Sequence, residues 1–267
     1  MSAKTDWNGV AAAIARAEEG GAVLGVAVVA PTGERFEHNG DRRFVAASTV
    51  KVPLMITLFR RIDAGERALA ETYRLRSEDR APGSGVMLHL HEGMEFTFND
   101  LVYLMISISD NTATNILIDV VGMDAVNATM ASLGMSGSVL RRKMQGHAAR
   151  AEADENWASA NDYARVIAAL LDDKAAAPTS CAAMIAMLEK QQNDRRIARH
   201  LPKTDRPRWG SKTGSVPGVC NDVGFIMTER GPLIVSVFCH QPPDAHAGEE
   251  IIGEISRAAW QAACQPP

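Results

Sequence analysis

The stretch Ser48-Thr49-Val50-Lys51-Val52-Pro53 contains the only Ser-x-x-Lys in this chain. On the opening turn of a helix, a lysine three residues after a serine lies on the same face, one turn along. Pro53 fits near a helix start because its ring nitrogen has no hydrogen to donate. The apolar run that follows it predicts a helix over 49–63. Ser48 would lie at the positive end of this helix, where a developing negative charge is favoured.

Two further short motifs follow along the chain, Ser109-Asp110-Asn111 and Lys212-Thr213-Gly214. Each motif has an ordinary alternative. Ser-x-x-Lys arises about once by chance in a chain of this length. Ser, Asp and Asn favour helix caps and turns, and a lysine followed by a glycine suits an edge strand with a bend. The ordered set of three, each at a predicted boundary of secondary structure, instead favours an acyl-transfer site with Ser48 as nucleophile.

With these motifs the chain resembles the penicillin-recognising serine enzymes, and within them the class A β-lactamases. The resemblance covers most of the chain and also includes Gly83-Ser84-Gly85 and the string Ser109-Asp110-Asn111-Thr112-Ala113-Thr114-Asn115. It implies an α+β fold of the β-lactamase/transpeptidase type, with an antiparallel sheet flanked by terminal helices and an inserted all-helical lobe. D,D-peptidases share the three motifs, so the motifs alone leave the fate of the acyl-enzyme open.

The resemblance also implies a role for each motif residue. Ser48 attacks the substrate carbonyl, Lys51 serves as base or proton relay, and Ser109 carries the proton toward the leaving nitrogen. Arg199 is a candidate auxiliary partner for a substrate carboxylate, and its ordinary alternative is an exposed arginine. The implied substrate-binding residues are Asn111 for a side-chain amide, Lys212 and Thr213 for a carboxylate, Gly214 for close approach, and Ser215, whose backbone amide joins that of Ser48 in the oxyanion hole.

One loop departs from the family pattern. Class A β-lactamases carry a glutamate there that activates the water for hydrolysis of the acyl-enzyme, whereas the matching residues 141–150 include no acid. His147 and Glu155 are the candidate deacylation bases. The ordinary alternative for His147 is an exposed loop histidine. For Glu155, as for Glu152 and Asp154, it is a solvated or helix-adjacent charge.

The chain is predicted to form one catalytic domain over residues 1–267, with an α/β lobe from 1–47 and 203–267 and a helical lobe from 48–202. The spacing of Val10, Ile14 and Ala17 predicts an amphipathic first helix. The other predicted helices are 49–63, 99–108, 112–121, 124–133, 161–172, 179–190 and 249–263. The predicted strands are 22–30, 35–38, 208–213, 222–228 and 233–240.

Composition limits the classes of function. A net charge of -4 and a pI near 6.0 give no electrostatic case for binding nucleic acid or an anionic membrane. The four cysteines lack metal-ligand spacing and are predicted to be buried thiols. We therefore expect a small-molecule β-lactam, peptide or ester substrate and no metal or cofactor, and the sequence leaves the oligomeric state open.

Every apolar run is too short for a membrane-spanning helix, and the first 20 residues lack the pattern of a signal peptide. The sequence as written therefore predicts a cytoplasmic protein, or a periplasmic or secreted one if a leader was removed. The predicted function is a serine acyl hydrolase that opens β-lactam amides through a Ser48 acyl-enzyme. The alternatives are a D,D-peptidase or esterase with the same nucleophile, or a β-lactam-binding protein that deacylates slowly.

Overall fold

The structure is a computed structural model that describes residues 5–264. In chain order its helices are α1 (Asn8–Glu19), α2 (Lys51–Asp63), α3 (Phe98–Ser107), α4 (Asn111–Val121), α5 (Met123–Ser132), α6 (Ala160–Leu171), α7 (Pro178–Leu188) and α8 (Ala245–Cys264). Its strands are β1 (Val23–Val29), β2 (Arg35–His38), β3 (Phe44–Val45), β4 (Thr72–Arg74), β5 (Glu95–Thr97), β6 (Trp157–Ala158), β7 (Trp209–Val216), β8 (Val219–Thr228) and β9 (Gly231–His240).

Strands from both ends of the chain form one antiparallel sheet in the order β2-β1-β9-β8-β7. Strand β1 from the N-terminal part pairs with β9 from the C-terminal part, as in the register Ala27 to Ser236. The sheet therefore joins the two ends, and the long helical middle is inserted between them. The division into lobes at 47/48 and 202/203 stays a prediction.

Each face of the sheet is buried against helices. On one face, apolar residues of α1 and α8, among them Ile14 and Ile252, pack on buried side chains of β1, β8 and β9. On the other face, Tyr163 of α6 packs against Phe238 of β9, with ring centroids 5.5 Å apart. This second core continues through α2, α3 and α4. The burial of apolar surface on both faces is the main contribution to the stability of the fold.

The predicted helices and the five predicted strands are present, with ends that differ by a few residues. Sequence analysis missed two pairs of very short strands, β3 with β6 and β4 with β5, because two or three residues show no periodicity. The prediction of four buried thiols is wrong for Cys264, which lies exposed at the end of α8. Within residues 5–264, no helix combines the length and apolar character that a membrane span requires.

Candidate active site

Ser48 lies in a four-residue 3-10 helix, Ala47–Val50, that leads directly into α2. Ala47 has a φ of 47°, in the left-handed region that alanine rarely adopts. Its neighbour Ala46 is held on both sides: its N–H donates to the carbonyl oxygen of Asn156 at 2.8 Å, and its carbonyl accepts from Thr49. These bonds fix an unfavourable backbone turn just before the nucleophile, as is common at functional sites.

Lys51 is fully buried on the first turn of α2. Its Nζ donates to the Ser109 carbonyl oxygen at 2.7 Å, to Ser109 Oγ at 3.0 Å and to Asn111 Oδ1 at 2.9 Å. Burial, followed by the nearby Lys212 ammonium, holds the Lys51 pKa well below its ordinary value, against the weaker effect of Asp110. A lysine with a lowered pKa has a neutral amine available to accept a proton.

The second motif forms the turn between α3 and α4. Ser109 has a φ of 60°, and the Ser84 hydroxyl donates to its carbonyl oxygen at 2.8 Å. Asp110 is the N-cap of α4 and accepts from the backbone N–H of Ala113, while its second oxygen accepts from Val86 and Met87. Asp110 therefore joins this turn to the loop that contains Ser84, and Ser109 is presented to the cleft.

Asn111 is buried at the start of α4, beside Lys51. Its Oδ1 accepts from Lys51, and its Nδ2 donates to the Pro82 carbonyl oxygen at 2.8 Å. One hydrogen on Nδ2 carries no protein hydrogen bond among those found in the described residues, which matches the predicted role of Asn111 as a donor to a substrate amide.

Lys212 is fully buried on β7, and its Nζ donates to the Thr213 carbonyl oxygen at 2.9 Å. Burial lowers the Lys212 pKa to about 7, although the Asp222 carboxylate opposes this effect. Asp222 lies opposite Thr213 in the β7–β8 register and is itself fully buried, which raises its pKa to about 6. The charge beneath this strand therefore changes near neutral pH.

Gly214 and Ser215 continue β7 past the third motif. A Cβ at Gly214 would lie 3.0 Å from the carbonyl oxygen of Ala46 and 3.2 Å from Thr49 Cγ2. Glycine at this position therefore allows β7 to pack against the segment that leads to Ser48, in addition to the predicted close approach of substrate.

Arg196, which sequence analysis passed over, contacts this same strand. Its side chain is buried, and its Nη1 donates to the carbonyl oxygens of Gly214 at 3.0 Å and Asn221 at 2.7 Å. Its Nη2 donates to Ser215 Oγ at 2.6 Å. Arg199, the residue proposed from the sequence, instead pairs with Glu250 of α8 at 2.6 Å and does not line the cleft.

The prediction that Arg199 is an auxiliary partner for a substrate carboxylate is therefore wrong. Five arginines and a lysine lie between residues 195 and 208, and no local pattern distinguishes the one that the fold buries at β7. The buried ion pair with Glu249, at 3.7 Å, comes from α8 some fifty residues later.

Residues 141–156 form a loop along one side of the cleft, and its first part, 141–150, contains no acid. Met144 is anchored in it, because its N–H donates to Asn115 Oδ1 at 2.8 Å and its carbonyl accepts from Asn115 Nδ2 at 3.0 Å. His147 is exposed, lines the cleft and places Nδ1 2.7 Å from the Ala148 carbonyl oxygen.

Glu155 is buried in the same loop, which corrects its interpretation as a solvated charge. Its carboxylate accepts from Arg142 at 3.0 Å, from the Ala149 N–H at 2.6 Å and from the Asn156 N–H at 2.8 Å. Glu152 and Asp154, by contrast, are exposed in a short 3-10 helix.

These elements surround a cleft of about 600 Å³. Of the residues predicted from the sequence, it is lined by Ser48, Ser109, Asn111, Thr213, Ser215, His147 and Glu155, and Arg196 joins them. Lys51 and Lys212 are buried, and each contacts a lining residue. A serine hydroxyl and a buried amine that is hydrogen-bonded to a second hydroxyl supply a nucleophile and a base for acyl transfer. The cationic groups along β7 are suited to binding a substrate carboxylate.

A profile of the Beta-lactamase enzyme family matches residues 8–263, and the chain belongs to this family. A solved structure of the β-lactamase from Sphaerobacter thermophilus DSM 20745 is 62% identical, with a TM-score of 0.95 over 98% of this chain and 100% of that one. An ancestral class A β-lactamase is 29% identical, with a TM-score of 0.87 over 95% of this chain and 99% of its own.

Among related sequences, the β-lactamase FAR-1 of Nocardia farcinica is 30% identical over 248 residues, which are 89% of this chain and 77% of FAR-1. Together these likenesses confirm the predicted α+β fold and the predicted class, a class A-like serine hydrolase of the β-lactamase family.

Proposed function

We propose that this protein opens β-lactam amides through an acyl-enzyme on Ser48, with Lys51, Ser109, Asn111, Lys212, Thr213 and Ser215 in the roles predicted above. One observation supports this assignment more than any other. Lys51 is fully buried, has a lowered pKa and contacts Ser109 Oγ, in the same cleft wall that presents Ser48. A buried amine with a strongly lowered pKa, hydrogen-bonded to a residue that lines a cleft, is typical of a functional site.

In the acylation step, Ser48 Oγ forms a bond to the substrate carbonyl carbon while its proton passes to the neutral Lys51 amine. The oxyanion that forms accepts hydrogen bonds from the backbone N–H groups of Ser48 and Ser215. The bond from that carbon to the ring nitrogen then breaks, and the proton returns from Lys51 through Ser109 Oγ to the nitrogen. The 3.0 Å separation of Lys51 Nζ and Ser109 Oγ suits this relay.

A substrate carboxylate would bind along β7. Lys212, protonated below its pKa of about 7, supplies one charge, and Thr213 supplies a hydroxyl at the cleft. Arg196 supplies a second, permanent charge through its contact with Ser215 Oγ. This pair of cations supports a preference for substrates that carry a carboxylate next to the scissile amide.

Deacylation requires a water molecule activated by a base, and the loop supports slow release. Both carboxylate oxygens of Glu155 are engaged by Arg142 and by backbone N–H groups. His147 is exposed. Met144 is buried in this loop, and Asn115 holds its backbone in place. Its thioether cannot act as a base. This arrangement favours the second candidate function, a β-lactam-binding protein that deacylates slowly, over rapid turnover.

Intact-protein mass after mixing with a penicillin, measured beside turnover of a chromogenic cephalosporin, tests the proposal. Turnover with a transient adduct supports hydrolysis, and a persistent adduct supports slow deacylation. Absence of both, together with cleavage of a simple ester, would point to the esterase alternative. A Ser48→Ala variant serves as the matched control and is expected to form no adduct.

A further inference from the structure

His240 is the last residue of β9 and reaches across to the segment that leads to the nucleophile. The backbone N–H of Val45 donates to His240 Nε2 at 3.1 Å. The imidazole also packs edge-on against Phe44, with ring centroids 4.9 Å apart. Two neighbouring residues of β3 therefore contact one histidine from the main sheet.

Val45 and Ala46 connect three parts of the site. Val45 lines the cleft and pairs with Trp157 of β6, immediately after Glu155 and Asn156. The buried side-chain amide of Asn221 donates to the carbonyl oxygens of Val45 at 2.9 Å and Ala46 at 3.3 Å. Ser48 follows two residues after Ala46, so displacement of this segment would move the nucleophile and the loop together.

The direction of the hydrogen bond specifies the protonation state of His240. A backbone N–H can only donate, so Nε2 must present its lone pair and the ring hydrogen must lie on Nδ1. A protonated ring would place a second N–H against the Val45 N–H and abolish the bond. The neutral Nδ1–H tautomer is therefore the form that holds β3.

We infer that neutral His240 is a positioning residue for the proposed acylation reaction: it holds Val45 so that Ser48 is correctly placed, and its protonation releases that hold. This inference rests on the proposed function. His240 does not touch the reacting atoms, and it acts through the two residues, Ala46 and Ala47, that separate Val45 from Ser48.

The charged groups that face His240 are Arg42, on the chain before β3, and Glu155, on the chain before β6. Burial is the largest effect and lowers the pKa of His240 below its ordinary value, and Arg42 acts in the same direction while Glu155 opposes it. The Val45 contact raises the pKa only if the ring donates to the Val45 backbone, whereas an Nε2 that accepts from the Val45 N–H favours the neutral ring. The unfolded chain therefore binds a proton at this residue more readily than the folded one. Its contribution to stability is present above the unfolded pKa and is lost as the pH falls below it.

Two substitutions separate positioning from packing. In His240→Gln the side-chain carbonyl can accept from Val45 and does not titrate, whereas His240→Leu fills space and accepts nothing. At about pH 8, we expect the Gln variant to form the penicillin adduct within about twofold of the wild-type rate. The Leu variant should form it about tenfold more slowly, because the partly buried Val45 N–H loses its acceptor.

The pH dependence gives the decisive comparison. As the pH falls from about 8 to about 5, the wild-type acylation rate divided by that of His240→Gln should fall, because only the wild type loses its acceptor. Titration of Lys51, Lys212 and Asp222 is common to both proteins and cancels in this ratio. A ratio that stays constant with pH, or equal rates for Gln and Leu, would overturn the inference.

Nitrogen-15 NMR of the resting protein tests the same geometry without a substrate. We expect the Nδ1–H tautomer at His240 and a Val45 amide signal that moves as the imidazole titrates. An Nε2–H tautomer would overturn the inference even if acylation occurs. If penicillin fails to acylate the wild type, the proposed function fails, and the tautomer still decides whether His240 holds β3.

Discussion

Arg142 and Glu155 form an ion pair inside the loop that closes the candidate active site, with Nη2 3.0 Å from Oε1. Their side chains are only 15% and 5% exposed. Arg142 also donates to the His147 carbonyl oxygen at 2.7 Å. The ion pair therefore connects both ends of the loop and holds it in one conformation. Because Glu155 is engaged in this pair, its carboxylate is not free to activate a water molecule.

This ion pair predicts that Glu155→Gln is mainly a stability mutation. Removing one partner of a buried pair leaves an uncompensated charge, at a cost of about 3–5 kcal/mol, so chemical denaturation should show a large loss. Glu152→Gln, at an exposed position in the same region, is the matched control and should change stability by less than about 0.5 kcal/mol. A Glu155→Gln protein of unchanged stability with selectively slowed deacylation would instead identify Glu155 as the base.

The fixed backbone of Met144 predicts that a carboxylate introduced at this residue can act as the base for deacylation. Because Asn115 holds its backbone on both sides, Met144→Glu should place a carboxylate in the loop at a fixed position beside the acyl group. We expect adduct release, followed by intact mass, to accelerate by about 10²–10⁴-fold, the usual contribution of a general base. Gln145→Glu, at the exposed neighbouring position, is the control and should have much less effect. Equal effects at both positions would contradict a specific water site beside Met144.

Arg196 is buried at β7, whereas Arg199 pairs with Glu250, so substitution of the two arginines should affect substrate binding differently. Arg196→Ala should raise KM for carboxylate-bearing β-lactams by far more than KM for a neutral ester, because a charge-assisted hydrogen bond contributes about 1.5–3 kcal/mol. Arg199→Ala removes an arginine that is paired with Glu250 instead and should leave the ratio of the two KM values unchanged. The neutral ester corrects for any general loss of folded protein. If Arg199→Ala changed the ratio of the two KM values more than Arg196→Ala did, carboxylate recognition would be assigned to Arg199 instead.

The Lys212 pKa of about 7 predicts how recognition varies with pH. Below that value the ammonium is present in the free protein, and above it the charge is lost. The kcat/KM for a carboxylate-bearing substrate should therefore decline as the pH rises through about 7, since this quantity reports free-enzyme pKa values. Lys212→Ala should flatten that decline while acting little on a neutral ester. An unchanged decline in the variant would assign it to another group.

Much of this fold could be predicted from the sequence because its signals are local. The helix that begins after Asp110 carries its own cap and apolar periodicity, and so does the helix after Ser159, whose side chain accepts from the Asp162 N–H. The three motifs lie at such boundaries, and the structure brings them to one cleft.

The parts that could not be predicted depend on contacts between distant residues. Arg196 is buried and Arg199 is not because of where α8 presents Glu249 and Glu250, which nothing near residue 196 encodes. Likewise Glu155 resembles any acid before a helix until Arg142, thirteen residues earlier, is seen to pair with it. The two-residue strand β3 exists only through its partners on β6 and β9.

The central claim is that Ser48 is the residue that a β-lactam acylates, and its most direct test is to locate the adduct. Wild-type protein is mixed with a penicillin, quenched, digested and mapped by tandem mass spectrometry beside Ser48→Ala of confirmed native fold. We predict one added penicillin mass on the peptide that contains Ser48, and no adduct or β-lactam turnover in the variant. An adduct on Ser109 or another residue, or undiminished acylation of Ser48→Ala, would contradict the account.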